Sequence, residues 1–277
     1  MTSRELLKAG ADELARAGCP SPAVDAEWLL AHSLGISRSE LYADGSTSPT
    51  PEAEARFRAL VERRAQREPL AYVLGEWGFR RLMLTVDRRV LVPRPETEVV
   101  VERCLALLAD VARPRVLDLG TGSGAIALAI ADEHPGAIVV GTDSSADALA
   151  VASENRDRLG LTARVELVEG ELFAGVAGPF DLIVSNPPYV DDSELAGLEP
   201  EVARYEPRAA LVETGAMEAI AKQSLARLAP GAPLVLETAD GKARAAAARL
   251  AELGYEEVSV GLDLAGRERV VDGRSPH

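Results

Sequence analysis

The sequence predicts an α/β fold in which a mostly parallel sheet, with an antiparallel last strand, follows a small helical N-terminal domain. Three observations support this prediction. From Glu96 onward, apolar strand-like segments alternate with helical segments, as in a parallel sheet covered on both faces. Before residue 70, apolar side chains recur at helical spacing. The 277 residues also exceed the roughly 100 to 200 residues of a common single domain, so we expect two domains.

The N-terminal part is predicted to be helical up to residue 70. We predict helices at 3–17, 22–34 and 51–66, with Ser21 and Thr50 placed to cap the second and the third. Two β-prone segments, 82–86 and 90–92, then flank the turn Asp87-Arg88-Arg89 and predict a hairpin. The predicted domains are therefore a helical domain (1–70), a β-hairpin linker (71–92) and a sheet domain (93–277).

The order of elements in the sheet domain follows from its alternating apolar patterns. We predict helices at 96–108, 124–133, 145–159, 217–228 and 242–253, and strands at 115–119, 138–142, 164–168, 180–185 and 233–237. Two closing strands within 256–271 are joined by only a short glycine-containing connection. That connection predicts the antiparallel end of the sheet.

A glycine-rich turn, Gly120-Thr121-Gly122-Ser123-Gly124, follows the first strand of the predicted sheet and leads into a helix. Glycines allow the backbone to approach a ligand without an intervening Cβ atom. The spacing from Gly120 through Gly122 to Ala125 also satisfies the dinucleotide-binding fingerprint. On this motif alone, NAD and S-adenosylmethionine both remain possible ligands.

Acidic residues follow the next two strands at the same predicted sheet edge. Asp143 ends the second strand, where a carboxylate accepts hydrogen bonds from ribose hydroxyls, although a helix-capping role is the alternative. Glu171 and Leu172 follow the third strand and suit the amino group and the ring of an adenine. We predict that these residues bind the cofactor together with Gly120, Thr121, Gly122, Ser123 and Gly124, and we include Asn186 at the same edge.

The fourth strand ends in Asn186-Pro187-Pro188-Tyr189. The two prolines stiffen the loop and remove N–H donors, while their carbonyl acceptors remain. We expect the Asn186 side-chain oxygen and the Pro187 carbonyl to accept the two protons of an NH2 group, and Tyr189 to stack on the flat group that carries it. Without the upstream glycine motif, an ordinary Pro-Pro turn would be the preferred interpretation.

This loop suits the methylation of a planar nitrogen. An amide or aniline-like nitrogen is a poor nucleophile because its lone pair is delocalised, and two acceptors stabilise the positive charge that develops as the methyl group arrives. Positioning of the reactants supplies the rest, so no charged base is required. We therefore predict Asn186, Pro187 and Tyr189 as catalytic residues, and the same three with Pro188 as substrate-binding residues.

The residues from Asp118 to Gly124, taken with Asn186 to Tyr189, resemble the amino-methyltransferases that share an Asn/Asp-Pro-Pro-aromatic motif, some of which act on adenine and others on glutamine. The segment Leu91-Val92-Pro93-Arg94-Pro95-Glu96-Thr97-Glu98 narrows this resemblance to the release factor glutamine methyltransferases. It implies a Rossmann-like S-adenosylmethionine methyltransferase sheet and methyl transfer to N5 of the glutamine in the Gly-Gly-Gln motif of class 1 peptide chain release factors. The resemblance extends over nearly the whole chain and assigns substrate docking to the helical domain. We also expect Arg94, fixed between two prolines, to contact the substrate.

Four alternatives are kept beside this interpretation. An adenine-N6 DNA methyltransferase would use the same acceptors on a flipped base, but the net charge of −14 and the lack of a basic stripe disfavour it. Ribosomal-protein glutamine methyltransferases share Asn-Pro-Pro-Tyr but differ where this chain has Arg94 to Glu98. An intact motif disfavours a noncatalytic binding module, and no hydride-transfer site supports an NAD-dependent oxidoreductase.

The amino-acid composition restricts the cellular location and the binding partners that we expect for this protein. The sequence is 47% hydrophobic and contains no apolar run near the ~18 residues of a membrane span. From its first residues we expect no secretory signal. We expect a cytoplasmic monomer without membrane or stable nucleic-acid partners. Cys19 and Cys104 match no metal-binding or disulfide pattern and are predicted to be buried small hydrophobes, and the three histidines lack ligand spacing, so we predict no metal.

Overall fold

The computed structural model describes residues 1–43 and 48–277, with backbone alone for residue 43. The chain divides into two compact units. Unit 1 comprises Met1–Glu76 and Leu198–Tyr205, and unit 2 comprises Trp77–Gly197 and Glu206–His277. The chain therefore leaves unit 2 after Gly197 and returns to it at Glu206. Among the described residues, no helix combines the length and the apolarity that crossing a bilayer requires.

Helices dominate unit 1, whereas unit 2 combines helices with strands. In chain order, the helices are α1 (Ser3–Arg16), α2 (Pro22–Leu34), α3 (Arg38–Ala43), α4 (Pro51–Ala65), α5 (Leu70–Leu74), α6 (Pro95–Leu107), α7 (Ala125–Glu133), α8 (Ala146–Arg158), α9 (Pro200–Tyr205), α10 (Ala216–Ser224) and α11 (Ala243–Glu252). The strands are β1 (Glu76–Phe79), β2 (Leu82–Thr85), β3 (Arg115–Leu119), β4 (Ile138–Asp143), β5 (Val165–Glu169), β6 (Leu182–Ser185), β7 (Pro233–Glu237), β8 (Glu256–Leu262) and β9 (Glu268–Arg274). Helices and strands alternate from α6 to α8, as the sequence predicted.

Unit 1 is built from helices around an apolar core of leucines and Phe57. The Thr50 side chain caps α4 by accepting a hydrogen bond from the backbone N–H of Ala53 at 3.2 Å, which confirms the predicted cap. Ser21 makes no such side-chain bond, so its predicted cap is wrong. Pro22 starts α2 instead, because its fixed φ suits the first helical position.

Buried ion pairs hold α9 within unit 1. Arg64 contacts Asp25 and Glu201, each at 2.8 Å, and Arg67 contacts Glu201 at 2.6 Å. Breaking a buried pair by removing one partner costs about 3 to 5 kcal/mol, because the other charge is left without compensation. Glu201 therefore ties the 198–205 segment firmly to the helical unit.

Unit 2 contains a seven-stranded sheet in the order β5-β4-β3-β6-β7-β9-β8. The strands from β5 to β7 are parallel, and β9 runs antiparallel to both β7 and β8, which confirms the predicted antiparallel end. The chain moves from β3 to one side at β4 and later to the other side at β6. Such a switch opens a crevice at the carboxyl ends of the strands, where open α/β sheets bind ligands.

The hairpin differs from its prediction. Its strands are β1 and β2, and its turn lies at Arg80 and Arg81, so the prediction that Asp87-Arg88-Arg89 is the hairpin turn is wrong. Arg80 adopts φ 51° at the observed turn, and its guanidinium contacts Glu133. Residues 87–90 do form a turn, because the Asp87 carboxylate accepts the Arg89 N–H at 2.9 Å, but no paired strand follows it.

Other differences concern short or weakly patterned segments. The helices α3, α5 and α9 were not predicted, and α10 ends at Ser224 rather than at the predicted Leu228. Both cysteines are free and buried, as predicted. These differences leave the sheet edge that carries the predicted site unchanged.

Candidate active site

A cavity lies at the carboxyl ends of the parallel strands of unit 2. The loops after β3, β4, β5 and β6 all line it, together with the segment before α6 and the segment after residue 206. Of the predicted site residues, the cavity lining includes Gly120, Thr121, Gly122, Ser123, Asp143, Glu171, Leu172, Asn186, Pro187, Pro188 and Arg94. Gly124 and Tyr189 are the predicted residues that lie outside the lining. The fold thus brings the glycine motif and the Asn-Pro-Pro-Tyr motif to one place.

The loop after β3 requires glycine. Gly120 and Gly122 have φ values of 71° and 56°, a region that other residues rarely adopt. A Cβ atom added at either position would meet no protein atom within 4 Å, so these glycines leave open space beside the backbone. The backbone N–H groups of Gly120 and Thr121 both donate to the Thr142 carbonyl at 2.9 Å. The loop is therefore fixed against β4 and open toward the cavity.

Asp118 stabilises this loop from inside the sheet. Its Oδ2 accepts hydrogen bonds from the Thr121 hydroxyl at 2.7 Å and from the Ala127 N–H at 3.1 Å. Burial raises the pKa of Asp118 to about 7, although these two hydrogen bonds lower it. Asp118 therefore joins the end of β3 to the start of α7 and sets the shape of the glycine turn.

Asp143 connects the second strand to the same loop. Its Oδ2 accepts from the Gly122 N–H and its Oδ1 from the Ser145 N–H, each at 2.9 Å. The side chain that caps α8 is that of Ser145, which accepts from the Ala148 N–H at 3.2 Å. Each carboxylate oxygen keeps a lone pair, and Asp143 lines the cavity. The geometry thus leaves Asp143 able to bind hydroxyl groups of a ligand.

The loop after β5 contributes Glu171 and Leu172 to the cavity lining. Leu172 has φ 50°, and its carbonyl accepts the Thr142 hydroxyl at 3.1 Å. Thr142 therefore fixes both this loop and the glycine turn, since its own carbonyl accepts from the glycine turn. The predicted contact of Glu171 and Leu172 with an adenine stays a prediction.

The Asn-Pro-Pro-Tyr loop is held by contacts from several elements. The Ser185 hydroxyl donates to the Leu119 carbonyl at 2.7 Å, and Lys242 Nζ donates to the Tyr189 carbonyl at 3.0 Å. The Asn186 Nδ2 donates to the Thr97 hydroxyl oxygen at 3.3 Å. This bond uses the NH2 end of the Asn186 amide, and its Oδ1 remains available as an acceptor.

Two further residues behind this loop are buried. Thr97, in α6, and Glu237, at the end of β7, are almost inaccessible to solvent. Burial raises the pKa of Glu237 to about 7, against the lowering effects of the neighbouring Thr97 and of the positive charge of Arg269. Burial also raises the pKa of Tyr189, and the negative charge of Glu237 contributes to that rise. Thr97 therefore supports the loop from inside the protein.

Arg94 is engaged within unit 2. Its Nη2 donates to both oxygens of Glu206, at 2.8 and 2.6 Å. Burial raises the pKa of the Glu206 carboxyl, although Arg94 lowers it. The pair fixes the start of the segment whose Pro207, Ala209 and Ala210 line the cavity. The predicted contact between Arg94 and the substrate stays a prediction, while its structural role is evident.

Several residues of the site were missed by the sequence analysis. Thr97 lies inside the noted 91–98 segment, and Glu237 ends a predicted strand, so position alone was a weak signal for both. Lys242 had no signal. Asn155 is fully buried in α8, where its Nδ2 donates to the carbonyls of Thr85 and Ser123, each at 3.0 Å. A buried asparagine on a helix gives no sequence pattern that points to these partners.

Comparisons with known proteins agree with this architecture. Residues 5–75 match the PrmC N-terminal domain, and residues 98–242 match the methyltransferase small domain. The release factor glutamine methyltransferase of Deinococcus radiodurans is 45% identical over 99% of each chain. That of Rhodospirillum rubrum is 42% identical over 97% of this chain and 84% of its own.

A solved structure supports the fold. The 16S rRNA N2 G1207 methyltransferase of T. thermophilus superposes with a TM-score of 0.53 at 18% identity, over 72% of this chain and 49% of its own. The methyltransferase domain implies S-adenosylmethionine as the cofactor, and the residues present fit it. Gly120 and Gly122 leave open space, Asp143 retains acceptor capacity, and Glu171 and Leu172 line the same cavity.

The chain is thus an S-adenosylmethionine-dependent methyltransferase by its matched domain and its site. Its similarity to the two curated relatives extends over nearly its whole length. The N-terminal match adds the helical unit that a methyltransferase sheet alone would lack. Together these findings show that the chain belongs to the release factor glutamine methyltransferase family.

Proposed function

We propose that the protein transfers a methyl group from S-adenosylmethionine to N5 of the glutamine in the Gly-Gly-Gln motif of class 1 peptide chain release factors. Family membership supports the choice of substrate. The observation that carries the chemistry is the hydrogen bond from Asn186 Nδ2 to Thr97, which leaves Asn186 Oδ1 available as an acceptor. Asn186 and the glycine loop line the same cavity.

The loop is suited to hold a primary amide. Asn186 Oδ1 and the Pro187 carbonyl each accept one N–H of the glutamine side chain, and Pro188 and Tyr189 limit the orientation of its plane. When bound, S-adenosylmethionine supplies a methyl group on a positively charged sulfur. The two acceptors draw electron density toward the nitrogen and stabilise its positive charge as its bond to the methyl carbon forms and the bond from that carbon to sulfur breaks. The nitrogen then loses one proton to water and becomes a neutral N-methyl amide. The roles of Asn186, Pro187, Pro188 and Tyr189 are therefore substrate positioning and charge stabilisation.

The cofactor side of the proposal uses the loops after the first three strands of the sheet. We assign Gly120 to Gly124 and Asp143 to the methionine and ribose parts of the cofactor, and Glu171 and Leu172 to its adenine. Asn186 lines the same cavity, and we assign it a position between the cofactor and the substrate amide. We further propose a cytoplasmic monomer that binds no nucleic acid stably, since its net charge of −14 opposes a phosphate backbone.

Methyl transfer from a labelled cofactor tests the proposed substrate. The protein is incubated in parallel with a class 1 release factor, the same factor with its Gly-Gly-Gln glutamine changed to asparagine, a ribosomal protein mixture and duplex DNA. We expect label on the unaltered release factor alone, mapped by mass spectrometry to the glutamine side chain. Label on DNA, or on ribosomal protein without release factor, would overturn the proposal.

A further inference from the structure

The turn that joins β8 to β9 carries two exposed leucines. Leu264, in the turn, is 93% exposed, and Leu262, at the end of β8, is 56% exposed. We call residues 262–266 the leucine turn. A single exposed leucine on a protein surface needs no explanation. The leucine turn differs from such a case because its conformation is fixed and because it lies beside the candidate active site.

Asp263 fixes the conformation of the leucine turn. Its Oδ1 accepts hydrogen bonds from the backbone N–H groups of Ala265 and Arg267, each at 2.9 Å, and its Oδ2 accepts from Arg267 Nε at 2.9 Å. The Asp263 N–H donates to the Arg267 carbonyl at 2.8 Å, and Gly266 adopts φ 77° within the turn. Leu264 is therefore presented in a defined position, and little conformational entropy is left to lose when a partner covers it.

The leucine turn lies at the sheet edge that carries the candidate active site. The strand β9 runs antiparallel to β7, and Val270 of β9 pairs with Glu237, the last residue of β7. The turn before β9 therefore extends beyond the carboxyl end of β7. Asn186 follows β6, which is parallel to β7, so the Asn-Pro-Pro-Tyr loop emerges at that same edge.

The start of α6 connects the leucine turn to the Asn-Pro-Pro-Tyr loop. Arg267 Nη2 donates to Glu96 Oε1 at 2.8 Å. The next residue in α6 is Thr97, whose hydroxyl oxygen accepts from Asn186 Nδ2 at 3.3 Å. The turn and the loop are thus held by neighbouring residues of one helix.

The segment after β7 makes a second connection. The Thr238 N–H donates to the Arg269 carbonyl, just after the leucine turn, at 2.8 Å. Four residues further along the chain, Lys242 Nζ donates to the Tyr189 carbonyl at 3.0 Å. The leucine turn therefore forms part of the rim of the site.

The charges around the turn favour a protein partner. Arg267 is paired with Asp263 at 2.9 Å and with Glu96 at 2.8 Å, and Arg244 is paired with Glu268 at 2.7 Å. Guanidinium groups that are already paired with carboxylates offer little net charge to a phosphate backbone. Leucine side chains bind through the removal of apolar area from water. The turn therefore fits an apolar patch on a protein surface.

We propose that Leu264 anchors the release factor by packing against apolar side chains that lie beside its Gly-Gly-Gln motif. The inference rests on the proposed function, because it takes the release factor as the substrate. A glutamine side chain that enters the cavity brings its own polypeptide chain to the rim of the site, where Leu264 is exposed. Covering this leucine removes apolar area from water, and the fixed turn keeps the entropy cost of docking low.

The KM for the release factor tests the anchor. We expect Leu264→Ser to raise this KM about tenfold or more, while kcat at saturating release factor and the cofactor Kd each stay within about twofold. The free energy of unfolding should stay unchanged, because Leu264 is exposed in the free protein. Leu264→Met keeps an apolar side chain and should hold KM within about threefold of wild type. A wild-type KM in Leu264→Ser would overturn the proposal.

Ile138→Ser is the matched control. Ile138 is 38% exposed and starts β4, so it lies at the opposite edge of the sheet from the site. We expect this variant to keep the wild-type KM for the release factor at equal folded fraction. If Ile138→Ser raises KM as much as Leu264→Ser does, the effect is not specific to the leucine turn and the proposal is wrong.

Photo-crosslinking identifies what covers the turn. A photo-reactive amino acid replaces Leu264 in one protein and Ile138 in another, and each protein is irradiated with the release factor and S-adenosylhomocysteine. We expect position 264 to cross-link to the segments that flank the Gly-Gly-Gln motif, as mapped by mass spectrometry, and position 138 to give no such product. Cross-links from position 264 to a second copy of this chain, or no cross-link to the release factor, would contradict the anchor.

The failure of this proposal can be distinguished from the failure of the proposed function. If the wild-type protein methylates no release factor, the proposed function is wrong. If the wild-type protein methylates the release factor and Leu264→Ser does so with the same KM, the anchor alone is wrong.

Discussion

The loop after β3 and the loop after β6 lie at the same sheet edge but are stabilised in different ways. The glycine loop is held by its sequence neighbours and by the adjacent strand β4, through Asp118, Thr142 and Asp143. The Asn-Pro-Pro-Tyr loop depends on partners far away in the sequence. Thr97 is 89 residues from Asn186, and Lys242 is 53 residues from Tyr189. The first loop is thus a local structure, and the second is assembled by the tertiary fold.

This difference suggests a division of roles between the loops. A loop that is held by local contacts and contains several glycines presents backbone atoms, and these atoms can lie close to a cofactor. A loop fixed from several directions presents one side chain, Asn186, at a defined angle. Changes in the first loop should therefore affect cofactor affinity, and changes around the second should affect turnover.

The largest expected effect comes from Asn186→Ala. Removal of its side-chain oxygen should lower kcat by about 10²- to 10³-fold, the range seen when a single preorganised hydrogen-bonding group is lost from a charge-stabilising site. Cofactor Kd, measured by calorimetry, should change less than about threefold if the loops act separately. A comparable loss of cofactor affinity would contradict the proposed division of roles between the two loops.

Asp143→Ala should produce the opposite pattern. It removes the acceptor of the Gly122 N–H and a predicted ribose contact, so cofactor Kd should rise about 10- to 100-fold, equivalent to about 1 to 3 kcal/mol. At saturating cofactor, kcat should recover to within about threefold of wild type. Asp147→Ala, on the exposed side of α8, is the matched control and should change neither quantity. A loss of kcat without a loss of cofactor affinity would contradict the assignment of Asp143 to cofactor binding.

Variants of Arg94 distinguish a structural role of this side chain from a role in substrate binding. Arg94→Ala leaves the buried Glu206 carboxylate without its partner and should lower the free energy of unfolding by about 1 to 3 kcal/mol. The double variant Arg94→Ala/Glu206→Gln should regain part of that loss in a chemical denaturation curve. If KM for the release factor stays raised in the stabilised double variant, Arg94 also contacts the substrate. Recovery of KM with stability would limit Arg94 to the structural role.

The smallest expected effect is that of Lys242→Met. Lys242 holds the Tyr189 carbonyl from an exposed position, and exposed contacts of this kind contribute about 0.2 to 1 kcal/mol. We expect KM for the release factor to rise by about two- to fivefold, with an unchanged cofactor Kd. Lys222→Met, which removes an exposed lysine from α10, is the control. Equal KM values in the two variants would show that Tyr189 needs no support from Lys242.

The same contrast explains what could be predicted from the sequence. The strand, glycine turn and helix around Gly120 follow from local spacing, and the buried strands fixed the sheet edge at which Asn186 emerges. Thr97 could not be assigned, because its contact with Asn186 depends on how α6 packs beside the loop after β6. The turn at Arg80 was also missed, since its positive φ is accompanied by a contact with Glu133, 53 residues away. Tertiary contacts, rather than local patterns, determine these features.

Residues 198–205 belong to the helical unit, and this limits how the two units can be separated by truncation. The chain enters the helical unit a second time through α9, where Glu201 meets Arg64 and Arg67. A truncation that starts at residue 77 would remove both arginines and leave the Glu201 carboxylate without its partners. The methyltransferase sheet is therefore not separable by a single cut, and exchanging the N-terminal unit between relatives requires grafting α9 with it.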